Sequence, residues 1–166
     1  MASTKLVLGV LLVLGVLFIA GSWAIVVFSL QLPLASPPSP PLVEPNATFV
    51  LYAGEVNSTH FAFGSTPDNL TTPGPTLNVT VGDIVKITEV DVGQSPHAFA
   101  VVNAPKTGAT VMFGATIGSL TDPLTPGENR SVTFVVNESG IFYYECPLIG
   151  HAESGMWGFF LVSNAS

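Results

Sequence analysis

The segment GIFYYECPLIGHAESGMWGFFLV, Gly140 to Val162, consists of two runs of strand-forming residues joined by a loop that contains proline and glycine. The loop begins with Cys146, the only cysteine of the chain. Four residues separate Cys146 from His151, and four more separate His151 from Met156. Runs of β-branched and aromatic residues with alternating side chains predict β-strands. The segment therefore predicts a strand–loop–strand unit whose loop gathers a thiol, an imidazole and a thioether.

The rest of the chain after residue 46 has the same character. Short runs rich in Val, Ile, Thr and aromatic residues are separated by Gly, Pro, Asn and Asp, and no stretch has helical periodicity. Eight short strands at this spacing predict an all-β fold, a Greek-key sandwich or barrel. The predicted strands are Thr48–Glu55, Thr59–Phe63, Thr76–Val81, Ile84–Val90, Ala98–Val102, Arg130–Val136, Gly140–Cys146 and Trp157–Val162.

Side-chain alternation predicts where His97 and Cys146 lie relative to each other. In GIFYYEC, Cys146 shares a face with Phe142 and Tyr144, so the thiol is expected to point into the core. In PHAFAVV, His97 shares a face with Phe99 in the same way. If these two strands are antiparallel neighbours, the start of one and the end of the other meet at the same end of the sandwich.

Cysteinate, two imidazoles and a thioether form a recognisable set of metal ligands. A trigonal His₂Cys site with a weak axial Met is the blue-copper electron-transfer site, because thiolate and thioether are soft ligands that hold Cu(I) and imidazole also accommodates Cu(II). Zinc prefers a tetrahedral set of Cys, His or carboxylate ligands, for which a thioether is a poor candidate. The candidate ligands are His97, Cys146, His151 and Met156, whereas His60 lies in a separate strand and is given no ligand role.

Each candidate also has a purely structural explanation. A lone cysteine is more often a buried small hydrophobe, a lone histidine a hydrogen-bonded structural residue, and a lone methionine a filler of core gaps, as Met112 is expected to be. The combination, and its place after an inward-facing strand, favours a metal site over these explanations. A single cysteine also excludes an internal disulfide bond and a binuclear copper centre that needs a second bridging cysteine.

Residues 1–34 are predicted to contain a transmembrane anchor. Residues 6–30 are almost wholly apolar, and as a helix they would extend about 37 Å, more than the roughly 30 Å hydrocarbon core of a bilayer. The alternative, a cleaved secretory signal, has a shorter apolar region of about 7–15 residues. Lys5 predicts that the N-terminus lies in the cytoplasm, which puts the rest of the chain on the extracytoplasmic side of the cell membrane. A proline-rich linker at residues 35–45 would then hold a domain at residues 46–166 away from the lipid surface.

The low content of charged residues bears on which partners the protein can bind. Only 9% of residues are charged and the net charge is −7, which argues against nucleic acid as a partner, since phosphate binding needs clustered Lys and Arg. Seven Asn-x-Ser/Thr sequons in the domain agree with an exported, glycosylated surface. They begin at Asn46, Asn57, Asn69, Asn78, Asn129, Asn137 and Asn164.

The stretch PGPTLNVTVGDIVKITEVDVGQSPHAFAVV together with the opening segment resembles the cupredoxins across essentially the whole domain. The phrase GHAESGMWG, with an anchor and a proline-rich spacer, is most similar to sulfocyanins, which are membrane-anchored blue copper proteins of thermoacidophilic archaea. The resemblance implies that His97, Cys146, His151 and Met156 bind one copper ion. One departure is Ala98, which stands where many cupredoxins have an asparagine that ties the two ligand loops together.

The resemblance implies a function in single-electron transfer outside the cytoplasmic membrane, with respiratory redox proteins such as a membrane haem-copper oxidase complex as partners. An enzyme is disfavoured, because copper oxidases and nitrite reductases need further histidine-rich sites and the chain has three histidines. A Cys–His hydrolase would need Cys146 exposed beside a base. The other alternative is a metal-free, anchored β-sandwich with a surface or adhesion role.

Overall fold

Ten β-strands make up the part of the protein that the structure describes. A computed structural model describes residues 44–165. The strands are β1 (Ala47–Asn57), β2 (His60–Thr66), β3 (Asn69–Thr71), β4 (Gly74–Thr80), β5 (Ile84–Asp91), β6 (Phe99–Val102), β7 (Val111–Ile117), β8 (Asn129–Val135), β9 (Gly140–Glu145) and β10 (Trp157–Ser163). The predicted all-β fold is confirmed for these residues.

The strands form two five-stranded sheets. The order in the first sheet is β3-β2-β1-β5-β8, and the order in the second is β4-β10-β9-β6-β7. Strands β1 and β5 are parallel, as are β4 and β10, whereas the other neighbours are antiparallel. Many neighbours in the sheets are distant in sequence, which is the connectivity expected of a Greek-key sandwich rather than a meander.

The hydrophobic core lies between the inner faces of the two sheets. Along β5 and β10, buried side chains alternate with partly exposed ones, as the period of a strand requires. Phe63 from the first sheet packs edge-on against Phe99 and Tyr144 of the second, with ring centroids 6.3 and 5.3 Å apart. Burying a large apolar side chain contributes about 1.5–3 kcal/mol, so these rings contribute strongly to holding the sheets together.

All eight predicted strands are present, with ends that differ from the prediction by no more than three residues. Strands β3 and β7 were not predicted. Strand β3 has three residues, too few for a recognisable alternation. In β7, Phe113 and Gly114 have φ values of 57° and 64°, and this left-handed pair interrupts the alternation by which a strand is recognised.

Strands β6 and β9 are antiparallel neighbours, which is the condition that the predicted site required. Ala100 is paired with Glu145 in this ladder. His97 lies just before β6, where it forms an isolated bridge with Leu124, and Cys146 directly follows β9. Both residues therefore lie at the same end of the second sheet.

The predicted transmembrane anchor at residues 1–34 and most of the linker at residues 35–45 lie outside the described residues. Among residues 44–165, no helix is long and apolar enough to span a membrane. The seven sequon asparagines are all exposed on the surface of the domain.

Candidate metal centre

His97 is completely buried, and its backbone is fixed by two hydrogen bonds to Leu124. Its N–H donates to the carbonyl of Leu124 at 3.0 Å, and the N–H of Leu124 donates back at 2.8 Å. Neither ring nitrogen makes a hydrogen bond to a described residue. Since buried polar groups are nearly always partnered, this imidazole indicates a ligand that the polypeptide does not supply.

Cys146 is also completely buried, as the strand parity predicted. Its N–H donates to the carbonyl of Met156 at 3.1 Å, which joins the two ends of the loop. Its Sγ lies 3.4 Å from Nδ1 of His151. The thiol and this imidazole nitrogen thus face each other at the end of the sandwich.

His151 lies in the loop of residues 147–156, which is held by its own hydrogen bonds. The N–H of His151 donates to the carbonyl of Leu148 at 3.0 Å, and the carbonyl of His151 accepts from the hydroxyl of Ser154 at 2.9 Å. The imidazole stacks on Phe61 of β2, with ring centroids 4.0 Å apart and planes inclined by 10°. The loop and the stacking partner therefore fix the orientation of this ring.

Met156 is completely buried in the same core cluster as Cys146. Its N–H donates to the carbonyl of His151, so its backbone is bonded to both of the other candidate ligands of the loop. The preceding Gly155 has φ 112°, and a Cβ there would lie 2.8 Å from the side chain of Thr72. The hydroxyl of Thr72 also donates a hydrogen bond to the carbonyl of Gly155 at 3.1 Å. Thr72 therefore helps to fix, from outside the loop, the backbone that leads into Met156.

One donor atom each from His97, Cys146 and His151 lie within 4.8 Å of one another. Three ligands bound at about 2.0–2.3 Å to one ion are roughly 3.5–4 Å apart, so side-chain movements of about 1 Å close the site. With Met156, the His-Cys-His-Met arrangement matches a type 1 copper site. The ligand role of each residue stays a prediction. His60 is exposed, and its Nδ1 lies 3.1 Å from Oδ1 of Asn57, away from this group.

Burial keeps the three donors uncharged in the metal-free protein. The pKa of His97 is lowered to about 4, mainly by burial and also by the neighbouring His151, while Glu55 opposes the shift. Burial likewise lowers the pKa of His151 and raises the pKa of the Cys146 thiol to about 12. A metal ion therefore meets neutral imidazoles that are ready to bind, whereas the thiol must release its proton as the metal binds.

Two residues beside the site were not foreseen from the sequence. Phe61 stacks on His151 and lies edge-on to His97, with ring centroids 5.7 Å apart. Glu55, near the end of β1, has its Oε1 atom 4.0 Å from Nε2 of His97. Both come from the first sheet, and no sequence motif connects β1 or β2 to the ligand loop, so only the packing of the two sheets brings them here.

Two buried carboxyl groups of β5 were also missed, although a signal for them exists. Glu89 and Asp91 continue the inward-facing positions of β5 after Ile87, and both are almost completely buried. Burial raises the pKa of Glu89 well above its usual range. Burial also raises the pKa of Asp91 to about 6, against a hydrogen bond from Gly93 that lowers it. The alternation of β5 in the sequence already placed both carboxyls on the core face.

Comparison with known proteins supports a copper protein. A family model described as "Multicopper oxidase" (Cu-oxidase_3) matches residues 66–166, which is more than half of the chain. A search among curated proteins gave no match.

Solved structures with the same fold include several copper proteins. A copper nitrite reductase from Nitrosomonas europaea matches with a TM-score of 0.56 and 23% identity, covering 72% of this chain and 42% of that chain. A blue copper oxidase from the same organism matches with a TM-score of 0.55 and 21% identity, covering 72% and 39%. Auracyanin B matches with a TM-score of 0.53 and 20% identity, covering 73% and 91%.

At these identities the likeness concerns the fold alone. The chain spans less than half the length of the nitrite reductase and of the blue copper oxidase, but nearly the whole length of auracyanin B is covered. The two cupredoxin-like sheets, the His-Cys-His-Met arrangement and the family match point in the same direction. The chain belongs to the multicopper oxidase family, and its described part is a cupredoxin-like domain with a site that matches type 1 copper.

Proposed function

We propose that this protein is a membrane-anchored, single-electron carrier of the sulfocyanin type that works on the extracytoplasmic side of the membrane in a respiratory chain. The observation that carries the proposal is the meeting of one cysteine and two histidine donors within 4.8 Å, beside a buried methionine. Copper, when bound there, supplies a one-electron Cu(II)/Cu(I) couple. The four proposed ligands are His97, Cys146, His151 and Met156.

The chain contributes a rigid and dry ligand set. The Leu124 bridge fixes His97, the backbone bond from Cys146 to Met156 closes the loop, and Phe61 holds His151 by stacking. Because these contacts are made within the polypeptide, they should hold the three residues in place when the charge of the site changes. An apolar surrounding favours the state of lower charge, which raises the reduction potential.

His151 is the proposed port for electrons, by analogy with the cupredoxin family. Its ring is only half-buried, whereas His97 is completely buried. The neighbouring Pro147 and Leu148 are partly exposed and Ile149 is 79% exposed, so an apolar surface lies next to the port in sequence. With 9% charged residues in the chain, we expect the small, transient contacts of electron transfer to be mainly apolar.

The proposed partners are respiratory redox proteins, with a membrane haem-copper oxidase complex as the acceptor. A membrane anchor at residues 1–34 would raise the effective concentration of such a partner without any new contact. Exposure of all seven sequon asparagines is compatible with a glycosylated outer surface.

The family match favours one further candidate, a domain of an oxidase or reductase. This candidate predicts consumption of oxygen or nitrite, whereas an electron carrier only exchanges electrons. Reductive titration of the copper-loaded 166-residue chain should take up one electron per copper and reverse on reoxidation. Sustained consumption of oxygen or nitrite with excess reductant would instead support the enzyme.

Substitution of the methionine tests the ligand assignment. Met156→Leu should retain copper but change the reduction potential, because a thioether ligand would tune the potential of such a site. Met112→Leu is the matched control and should leave the potential unchanged, since Met112 lies on β7 beside Val111, which pairs with Val102 at the end of β6 remote from His97. Equal potentials in both variants would contradict a ligand role for Met156.

A further inference from the structure

The second ring nitrogen of His97 needs a partner once the first binds a metal. Metal-bound histidines almost always donate the other ring N–H to a carboxylate, a backbone carbonyl or a water, which fixes the ring and its tautomer. Both nitrogens of His97 are buried, and neither makes a hydrogen bond to a described residue. Nε2 lies 4.0 Å from Oε1 of Glu55, so a carboxylate stands just beyond hydrogen-bonding distance.

Glu55 is firmly held in this position. Its Oε1 accepts a hydrogen bond from the N–H of Ser95 at 2.8 Å, and its Oε2 accepts one from the N–H of Gln94 at 2.9 Å. Gln94 and Ser95 belong to the loop that leads from β5 to His97, whereas Glu55 belongs to β1 in the other sheet. The carboxylate therefore links the first sheet to the loop that carries the proposed ligand.

Gly93 allows the carboxylate and the imidazole to approach each other. A Cβ at this position would lie 2.5 Å from Oε2 of Glu55 and 2.9 Å from Nε2 of His97. Side-chain carbons do not approach other atoms so closely, so any residue other than glycine would push the two groups apart. The local sequence is thus compatible with close contact between Glu55 and His97.

The side chain of the residue after His97 cannot link the ligand loops. Ala98 is completely buried and its side chain is a methyl group, so that side chain offers no polar atom with which to tie the loops together. Glu55 supplies a polar link to the His97 loop from the opposite sheet instead.

We propose that Glu55 is a positioning residue of the metal centre, whose carboxylate accepts a hydrogen bond from Nε2–H of His97 and leaves Nδ1 as the ligand atom. The inference rests on the proposed copper site. A direct N–H···O bond requires about 3 Å, so the 4.0 Å separation would have to close by about 1 Å with a metal on Nδ1. The carboxylate thereby selects one tautomer of His97 and holds the ring plane.

The test compares Glu55→Ala and Glu55→Gln with Asp83→Asn in the full 166-residue chain. Asp83 is a matched control, because its carboxylate also accepts two hydrogen bonds, 2.8 Å from Asn46 and 2.7 Å from Thr80, but it lies just before β5, outside the ligand loop, and is not paired with a histidine. Cu(II) affinity is measured by competition with a chelator. Proton NMR of the diamagnetic Cu(I) form reports the ring N–H of His97 directly.

We expect wild type to show a slowly exchanging Nε2–H proton of His97, and Glu55→Ala to lose it together with about 10–100-fold of Cu(II) affinity. Glu55→Gln, which keeps an acceptor oxygen, should recover part of the affinity, and Asp83→Asn should match wild type. Wild type that binds copper without a protected Nε2–H, or equal affinities in Glu55→Ala and the control, would overturn the role of Glu55 alone. Failure of wild type to bind copper would overturn the copper site as well.

Discussion

The buried carboxyl of Asp91 should favour the folded state of the metal-free protein more in acid than at neutral pH. Asp91 is 1% exposed. Its Oδ1 accepts a hydrogen bond from the N–H of Gly93 at 2.9 Å, while its Oδ2 has no partner among the described residues. Its pKa is raised from 3.8 to about 6, mainly by burial and also by the nearby carboxylates of Glu55 and Glu128, while the hydrogen bond from Gly93 opposes the increase.

The sign and size of the effect follow from these values. Above its ordinary pKa, the unfolded chain releases the proton of Asp91 while the folded protein still holds it, so the unfolded state gains stability as the pH rises. The pKa difference between 3.8 and about 6 corresponds to about 3 kcal/mol at about 1.4 kcal/mol per unit. This penalty is absent below pH 3.8 and fully developed above about pH 6.

The Asp91→Asn variant removes the titration and keeps the shape of the side chain. Its Oδ1 can still accept the hydrogen bond from Gly93. Urea unfolding of the metal-free chain at about pH 3 and about pH 8 gives the change in unfolding free energy over this range. Other groups, among them His97 with its lowered pKa, contribute to this change in both proteins, so the unfolding free energy at pH 8 relative to pH 3 should be about 3 kcal/mol higher in Asp91→Asn than in wild type. Asp68→Asn, at an exposed position in the turn before β3, is the control and should behave as wild type. The same change in Asp91→Asn as in wild type would show that Asp91 contributes no pH dependence.

Three other substitutions test the packing around the site. Glu89→Met should raise the unfolding free energy more at neutral pH than in acid, because Glu89 is buried with no partner for either oxygen among the described residues and burial raises its pKa. Urea unfolding at both pH values checks this, and an equal increase at both would contradict it. Tyr144→Phe should lower the free energy of unfolding by about 1–3 kcal/mol, because the carbonyl of Pro75 loses the hydroxyl that donates to it at 2.6 Å. Thermal unfolding measures the loss, and a smaller one would contradict a stabilising role for this hydrogen bond. Gly93→Ala should weaken Cu(II) binding, because its Cβ would lie 2.9 Å from Nε2 of His97; unchanged affinity in a chelator competition would show that the loop adapts.

The sequence predicted most of the fold because strand alternation is local information. The run from Phe142 to Cys146 has a period of two, and this alone is enough to predict the buried thiol that the structure places at the end of β9. The meeting of His97 and Cys146 required only that β6 and β9 be antiparallel neighbours, and they are. Strand β7 was missed because the left-handed Phe113 and Gly114 interrupt its pattern.

The residues around the proposed ligands could not be predicted in the same way. Glu55 and Phe61 reach His97 and His151 from the opposite sheet, and their positions depend on how the two sheets pack. Nothing in their local sequence encodes that packing. Glu89 differs, because its inward position follows from the alternation of β5, but a carboxylate in a core position is normally taken as evidence against burial.

Cys146 is proposed to bind copper as a thiolate together with His97 and His151. The visible absorption spectrum of the full 166-residue chain loaded with Cu(II), recorded beside Cys146→Ser, tests this proposal. We expect stoichiometric copper and an intense thiolate-to-copper charge-transfer band that is bleached by reductant and absent from the serine variant. A colourless protein without stoichiometric copper, or a band that persists in Cys146→Ser, would exclude Cys146 as a copper ligand.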